Sequence, residues 1–313
     1  MVKHLMQVPF TGLGLYNGFR GNRFLLNRIR IFKQFVIPSL QNQTNKNFIL
    51  HCCWRAEEKS NRYVKELITY LENIKEFKTV HTFTGIFFYD DKYPDAVAKE
   101  RLVTALHGEM GNLINAIGEC DYVLATIQPS DDCYHKNAVK IIQEGFELTD
   151  CQAIGFGKGY ICNYLTKEVS EYNPSTNPPF YTIKFLREDF IDPFKHIRFT
   201  SLKRDVGKYK AGTPLPSHEY VGDCLKYGII NERGFLVGTH TANISTYFNH
   251  PFKGEPVDKK ILKDFGIYDA PLLKLKTSFR NSIMSRLPFP AQRKLRYWLG
   301  ERFYQRIYNL IRG

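Results

Sequence analysis

Short apolar segments alternate with segments of helical periodicity through the amino-terminal half of the chain, and this alternation restricts the fold more than any other feature. His4–Phe10 and Phe48–Trp54 are apolar runs typical of buried strands. Arg23–Leu40 and Ala96–Ile117 repeat apolar residues at the spacing of a helix face. Further strands are predicted at Thr79–Phe83 and Asp121–Ile127, and further helices at Glu57–Asn73 and around Val139–Ile142. The pattern predicts an α/β fold in which a parallel sheet carries helices on both faces.

The pattern changes after Asp150, where short strand-like pieces replace the alternation. These pieces are Gln152–Phe156, Gly159–Cys162, Tyr181–Phe185 and Gly234–Gly238. They predict antiparallel strands added to the parallel sheet. We therefore expect one domain over residues 1–273, formed by the halves 1–149 and 150–273, followed by a tail over residues 274–313.

The positive charge of the chain is concentrated in this tail. The net charge is +13, and the tail carries ten lysines and arginines against one acid, Glu301. Residues 1–273 hold 34 basic and 30 acidic side chains and are nearly balanced. A nucleic-acid-binding enzyme more often carries a basic stripe across its body, so nucleic acid is not an expected partner.

The tail also has the pattern of a basic amphipathic helix over Gln292–Ile311. Its apolar stripe includes Trp298 and Phe303, with arginines and lysines between the apolar positions. A helix of this kind suits an anionic membrane surface. The alternative is a terminal helix docked on the domain with its basic side chains in water.

Membrane-spanning and secretory signals are missing from the sequence. No stretch approaches the roughly 20 apolar residues that span a bilayer, and the first residues lack the apolar run of a secretory signal. The seven cysteines include no CxxC pair, which favours free thiols in a reducing compartment and argues against a zinc site. These features predict a cytoplasmic protein, which a membrane-binding tail would place peripherally on the inner face of a membrane.

Two adjacent carboxylates, Asp131 and Asp132, follow the predicted strand Asp121–Ile127. Ligands bind outside the carboxyl ends of the strands in open α/β sheets, so this acidic loop lies where a ligand is expected. Carboxylate oxygens are hard ligands suited to Mg²⁺ or Mn²⁺, which bridge diphosphate oxygens in nucleotide sites. The alternative is that one of these side chains caps a helix beginning near Tyr134.

The segment between the first helix and the second strand resembles the opening of a known enzyme family. Arg28–Phe32, Pro38–Thr44 and Asn47–Leu50 are similar to the corresponding segments of inverting glycosyltransferases of the Rossmann-like, GT-A type. The rhamnosyltransferase family is the closer match, since it shares this opening and a strand that ends in a double Asp. It also shares an Asn-Pro-Pro-Phe segment, here Asn177–Phe180, and a late His-x-x-Asn-x-Ser segment, here His240–Ser245. The resemblance covers roughly residues 5 to 257.

This resemblance implies a GT-A-like mixed sheet flanked by helices, and transfer of a sugar such as rhamnose from a nucleotide-sugar donor to a glycan or lipid-linked acceptor. It implies a divalent cation, Mn²⁺ or Mg²⁺, at Asp131 and Asp132, with His240 completing the metal site. The alternative for His240 is a structural role in a polar turn. One departure concerns the acidic loop, which usually reads Asp-x-Asp-Asp in the family and has Pro129 at the first acidic position here.

The donor nucleotide is expected to contact the first turn, the first helix and the acidic loop. A glycine-rich turn after a strand can approach a phosphate closely, and arginines can bind a diphosphate. Arg20 and Arg23 are equally compatible with solvated surface charges. The predicted nucleotide contacts are Gly12, Arg20, Arg23, Arg28, Ser130 and Asn243.

An inverting transfer requires a general base that deprotonates the acceptor hydroxyl. The candidates are Glu219, Asp223 and His218, which follow a Pro-Leu-Pro segment. The alternative is that Glu219 and Asp223 lie on the exposed face of a helix starting near Ser217.

A second functional class also fits the sequence, namely a non-catalytic transferase-like protein that binds membrane or nucleic acid through its basic tail. Pro129 in the acidic loop favours this class, while Asp131, Asp132 and His240 argue for an enzyme. Release of nucleoside diphosphate from a donor sugar identifies the enzyme. A tail-driven binder loses its activity when the residues after Leu273 are removed.

Overall fold

Four parallel strands lie side by side at one end of the sheet in the computed structural model, as the alternation predicts. They are β1 Val2–Val8, β2 Ile49–Arg55, β3 Lys78–Thr84 and β4 Tyr122–Ile127, in the order β4-β1-β2-β3. Parallel strands of this kind are apolar along most of their length because helices cover both faces of the sheet. The structure describes residues 1–11, 22–84, 104, 108–175, 177–192, 218, 221–240 and 254–275.

The strands that follow β4 in the chain extend this sheet, mostly through antiparallel pairs. They are β5 Cys133–Tyr134, β6 Ala153–Asn163, β7 Val169–Tyr172, β8 Tyr181–Leu186, β9 Tyr227–Thr239 and β10 Pro256–Val257. β8 runs antiparallel to β4 and to β6, whereas β6 and β9 are parallel. The sheet of the described residues has ten strands and mixed direction. This confirms the predicted α/β fold with a mixed sheet flanked by helices.

The first helix is longer and less regular than the sequence predicts. α1 Asn22–Ile31 continues through a π-helical turn, Phe32–Val36, into α2 Ile37–Gln41. Pro38 lies in the first turn of α2. In the π turn the amide of Ile37 donates to the Phe32 carbonyl. This altered pattern directly precedes the proline, which has no amide to donate.

The second predicted helix is two elements in the structure. A 3₁₀ turn over Ala56–Ser60 precedes α3 Arg62–Glu72. The division occurs at Asn61, whose side chain accepts a hydrogen bond from the amide of Tyr63 and caps α3. The third predicted helix is described over residues 108–117, here α4, and most of its remaining predicted range lies outside the described residues.

The later elements differ from the prediction in their lengths. Gln152–Phe156 and Gly159–Cys162 belong to one strand, β6, whose pairing with β9 is irregular between Phe156 and Lys158. β7 and β10 are four and two residues long, too short for a periodic signal. The remaining helices are α5 Ala138–Leu148, α6 Arg187–Ile191 and α7 Val221–Cys224, with a 3₁₀ turn over Lys259–Lys263.

The predicted tail helix, Gln292–Ile311, lies outside the described residues. No described helix has both the length and the apolar character needed to cross a membrane. Because β4 pairs directly with β8, one sheet joins the segments before and after residue 150.

Alternation along the strands divides the core between the two faces of the sheet. On one face, Met6 and Leu50 pack with α1, α3 and α5. On the other face, Leu5 and Ile49 pack with α4 and α6. Neighbouring residues of a strand point to opposite faces, so both faces of the parallel strands are buried. Because these strands run in the same direction, their carboxyl ends meet at one edge of the sheet.

A buried polar network crosses the central strands. Nδ1 of His4 lies 3.2 Å from the side-chain nitrogen of Gln143, and Nε2 lies 2.6 Å from Oγ1 of Thr126. Since the Gln143 nitrogen donates, Nδ1 accepts and the proton of the neutral ring is on Nε2, which donates to Thr126. Burial lowers the pKa of His4 from 6.5 to about 3, so the ring is neutral in the folded chain at pH 7.

We expect His4 to make the folded state sensitive to acid. Its pKa is lower in the folded chain, so the unfolded chain takes up the proton first as the pH falls from 6.5 towards 3. The stability contributed by the neutral ring is complete above pH 6.5. Below that pH it decreases by up to about 1.4 kcal/mol per pH unit.

Urea unfolding at pH 7, 6 and 5 measures this effect. The free energy of unfolding should fall more steeply with decreasing pH for the wild type than for His4→Gln, whose amide does not titrate. Parallel pH profiles of the two proteins would contradict the assignment.

Candidate functional site

The acidic loop lies beside the point where the sheet changes its direction of winding. The chain passes from β1 to β2 and β3 with α1 and α3 on one face. It then returns to β4, on the other side of β1, with α4 on the opposite face. The carboxyl ends of β1 and β4 therefore border a crevice of the kind in which open α/β sheets bind their ligands. Asp131 and Asp132 follow β4 at this crevice.

Side chains fix the backbone of the acidic loop. The side-chain amide of Gln128 donates to the carbonyls of Pro129 and Asp132, at 2.8 and 2.9 Å. The hydroxyl of Tyr164 donates to the carbonyl of Asp131 at 2.9 Å. Gln128 and Pro129, which depart from the acidic motif of the resembling family, therefore shape the loop that carries the two carboxylates.

The segment that carries the family resemblance contacts the chain just after the acidic pair. The hydroxyl of Ser39 donates to the carbonyl of Tyr134 at 2.8 Å and accepts from the amide of Tyr134 at 3.1 Å. The Gln43 side chain donates to the carbonyl of His135 at 2.8 Å and accepts from the amide of Val139 at 3.1 Å. These bonds fix the exit of the acidic loop and the start of α5.

A buried ion pair joins α1 to the acidic loop. Nη1 of Arg28 contacts Oδ2 of Asp131, and the Arg28 side chain is 2% exposed. Burial by itself raises the pKa of Asp131, but the Arg28 guanidinium and the His240 ring outweigh it and hold the pKa well below its usual range. Asp131 is therefore ionised at neutral pH, and the pair connects the two sides of the crevice.

Asp132 is directed towards β9. Its Oδ1 accepts a hydrogen bond from the amide of Gly238 at 2.8 Å. Burial and the charge of Asp131 raise the pKa of Asp132 well above its usual range, although the Gly238 amide and Arg28 act in the opposite direction. Since Tyr134 lies in β5 and α5 begins at Ala138, neither carboxylate caps a helix near Tyr134.

His240 follows β9 and meets the same carboxylate as Arg28. Its Nε2 lies 3.3 Å from Oδ2 of Asp131, so the structure brings together two of the three predicted metal ligands. The His240 ring stacks on Tyr164, with centroids 6.4 Å apart, and Tyr164 stacks on Phe35 of the π turn at 3.7 Å. Burial lowers the pKa of His240, although Asp131 opposes this effect.

The predicted ligands of the divalent cation are all engaged with protein groups. Arg28 and His240 contact Oδ2 of Asp131, and the Gly238 amide contacts Oδ1 of Asp132. An ionised carboxylate only accepts hydrogen bonds, so Nε2 of His240 carries the hydrogen and has no lone pair for a cation. Within the part of the chain that the structure describes, no group of three or more His, Cys, Asp or Glu side chains is arranged to hold a metal ion. The residues present do not fit the expected cation.

The other predicted nucleotide contacts are described only in part. Ser130 is buried in the acidic loop, and Arg23 is half-buried on α1. Asp223, predicted as a base, lies in α7. The predicted residues outside the described part of the chain are Gly12, Arg20, Glu219 and Asn243.

His218, the remaining candidate base, lies in a different cluster. Its Nδ1 donates to the carbonyl of Asn177, whose side chain donates back to the His218 carbonyl at 3.0 Å. The hydroxyl of Tyr227 donates to Oδ1 of Asn177 at 2.6 Å. Tyr227 begins β9, a strand of 13 residues, and His240 follows its other end. The structure therefore places His218 and Asp131 at opposite ends of this strand.

Sequence reasoning does not identify Tyr164 or Gly238 as parts of the site, and it does not pair Arg28 with Asp131. Tyr164 and Gly238 carry no local signal, because they reach the acidic loop only through the pairing of β9 with β5 and β6. Gln128 is marked only by its place beside Pro129, where the chain departs from the family pattern.

Similarity of this chain to known proteins is found at the level of structure. No family model and no curated protein matches it. The crystal structure of S. aureus TarS 1-349 is similar, with 13% identity and a TM-score of 0.39 over 97% of this chain and 80% of that chain. The same protein in complex with UDP-GlcNAc shows 13% identity and a TM-score of 0.40 over 87% of this chain and 68% of that chain. Mouse xyloside xylosyltransferase 1, in its apo form, shows 13% identity and a TM-score of 0.28 over 50% of this chain and 53% of that chain. Likeness at this level decides no activity for this chain.

Gly238 should be essential to the geometry of the acidic loop. A Cβ at this position would lie 2.5 Å from the carbonyl oxygen of Asp131 and would also overlap the ring of Tyr164. We expect Gly238→Ala to lower the free energy of unfolding by about 1–3 kcal/mol, the usual cost of overpacking. Urea unfolding monitored by circular dichroism measures the change.

Gly111 in α4 provides the matched control, because a Cβ there meets nothing within 4 Å. Gly111→Ala should leave the protein as stable as the wild type or more stable by up to about 1 kcal/mol, since alanine favours the helix. Equal stability of the two alanine variants would show that the contact around Gly238 is not tight.

Proposed function

We propose that this chain is a glycosyltransferase that binds a nucleotide-sugar donor between the carboxyl ends of β1 and β4. The buried pair of Arg28 and Asp131 carries the proposal, because it joins the elements on the two sides of this crevice. Open α/β sheets bind their ligands at such a point. The family resemblance around Pro38–Thr44 supports the same site, because Ser39 and Gln43 position the chain that leaves the acidic loop.

The donor brings an anionic diphosphate, and the charges of the crevice suit it. Arg28 offsets the charge of Asp131, so the acidic loop repels the diphosphate less than two unpaired carboxylates would. Arginines that follow the first strand supply further positive charge. The proposed nucleotide site consists of Gly12, Arg20, Arg23, Arg28, Ser130 and Asn243.

The proposed reaction is a single displacement. The acceptor hydroxyl attacks the anomeric carbon, the bond from that carbon to the diphosphate breaks, and a base takes the hydroxyl proton, so the configuration inverts. Glu219, Asp223 and His218 are the proposed bases. The strand register places Tyr227, at the start of β9 near His218, level with Ala125 of β4.

The resemblance favours rhamnose as the sugar and a glycan or lipid-linked molecule as the acceptor. We propose that the tail, residues 274–313, binds an anionic membrane surface on the cytoplasmic side, where a lipid-linked acceptor would be reached. The divalent cation expected from the sequence is not part of the proposal, because Arg28, His240 and Gly238 engage its predicted ligands.

Release of nucleoside diphosphate from dTDP-, UDP- and GDP-linked sugars tests the proposed activity. We expect the wild type to release the nucleotide from one donor. In the double variant Asp131→Asn/Asp132→Asn, release should fall by about 100-fold, the size of a lost electrostatic contact in an active site. Glu147→Gln, which changes an exposed carboxylate on α5, is the control and should retain activity. Circular dichroism checks that each variant is folded.

Thermal stabilisation by each donor separates a missing acceptor from a missing activity. Stabilisation by one donor without release shows that the donor site is present and that the acceptor has to be supplied. Neither release nor stabilisation with any donor would refute the proposal. That result would favour the non-catalytic protein, whose binding to anionic vesicles disappears when residues 274–313 are removed.

A further inference from the structure

The chain itself supplies a cation, the guanidinium of Arg28, to the acidic pair Asp131 and Asp132. Arg28 reaches Asp131 from α1, a helix whose Leu25 and Ile29 belong to the core. The guanidinium is buried beside the carboxylate, so solvent screens the interaction weakly. In nucleotide sites, a divalent cation commonly balances the negative charge of such carboxylates and of the diphosphate.

A divalent cation would compete with groups that already contact both carboxylates. Oδ2 of Asp131 receives both Arg28 and His240, and Oδ1 of Asp132 receives the amide of Gly238. A cation placed between the two carboxylates would lie close to the guanidinium and would be repelled by it. The existing bonds and this repulsion both act against occupation by a metal ion.

Packing around His240 adds to this resistance. The rings of Phe35, Tyr164 and His240 form a stacked column, and the hydroxyl of Tyr164 donates to the carbonyl of Asp131. A rotation that presented a lone pair of His240 to a cation would disturb the stack. It would also break the hydrogen bond between His240 and Asp131.

We propose that Arg28 is the resident counter-ion of the acidic pair and that the site binds a nucleoside diphosphate without a divalent cation. The identity of the ligand rests on the proposed glycosyltransferase function, whereas the counter-ion concerns only Arg28, Asp131, Asp132 and His240. Arg28 acts as a positioning residue, because it holds Asp131 and offsets its charge. The site therefore has its positive charge before any ligand arrives.

Titration of the full chain with Mn²⁺ in the absence of nucleotide tests the counter-ion directly. Free Mn²⁺ is followed by its electron paramagnetic resonance signal. We expect no saturable binding to the wild type at millimolar Mn²⁺. Arg28→Gln removes the repelling charge and should bind Mn²⁺ at least about tenfold more tightly. Arg28→Lys keeps the charge and should behave like the wild type.

Arg187→Gln is the matched control, because Arg187 pairs with Glu119 on another part of the surface. Its Mn²⁺ binding should equal that of the wild type. If Arg28→Gln does not fold, the wild type still tests the proposal, because a chain that holds its own counter-ion should show no saturable Mn²⁺ binding. Saturable Mn²⁺ binding to the wild type at millimolar Mn²⁺, or Mn²⁺ binding that Arg28→Gln does not strengthen, would overturn the assignment of Arg28 as the counter-ion.

Calorimetric binding of UDP, GDP and dTDP, with EDTA and then with Mn²⁺, tests the second half of the proposal. The wild type should bind one of these nucleotides with the same affinity under both conditions. Arg28→Gln should lose this binding in EDTA and recover it with Mn²⁺. Nucleotide binding that EDTA abolishes in the wild type would refute the role of Arg28 as counter-ion and would leave the proposed glycosyltransferase function intact. Binding of no nucleotide, with weak Mn²⁺ binding, would refute the glycosyltransferase and leave the counter-ion intact.

Discussion

The contact between Arg28 and Asp131 is the interaction on which the rest of the site depends. It connects the helix that follows β1 with the loop that follows β4, and it does so where both side chains are largely removed from water. A buried ion pair adds little net stability compared with apolar packing, but loss of one partner typically costs about 3–5 kcal/mol, because the other charge stays buried alone. The pair therefore constrains the position of the acidic loop and the charge of the crevice together.

Hydrogen bonds to the main chain explain why a motif distant from the acidic pair accompanies it. Ser39 and Gln43 belong to the segment that resembles the glycosyltransferase family, and both bind the chain between Tyr134 and Val139. Their oxygen and nitrogen atoms satisfy main-chain groups at the end of the acidic loop and at the start of α5. The segment that resembles the family therefore supports the acidic loop. Its link to the family lies in the geometry that it imposes on this loop.

Parts of the fold that depend on local pattern were predictable, and parts that depend on distant partners were not. The parallel strands and the place of Asp131 after β4 follow from apolar periodicity, which acts over neighbouring residues. The proximity of His240 to Asp131 was expected only through the family resemblance. The π turn before Pro38 was not predictable from the apolar periodicity. The strand at Tyr134 was missed because it exists only as the partner of β9.

The sequence by itself determined the order along the chain of the parallel strands and of the helices between them, and it placed two carboxylates at the edge of the sheet. These features depend on the spacing of apolar residues and on the ends of the segments they define. Only the tertiary structure decided which charges meet. Arg28, Asp131 and His240 are far apart along the chain, and their meeting requires β1 beside β4 and β9 beside β5. Strand order is a property of the packed sheet, because local periodicity specifies which face a residue occupies and not which strand lies beside it.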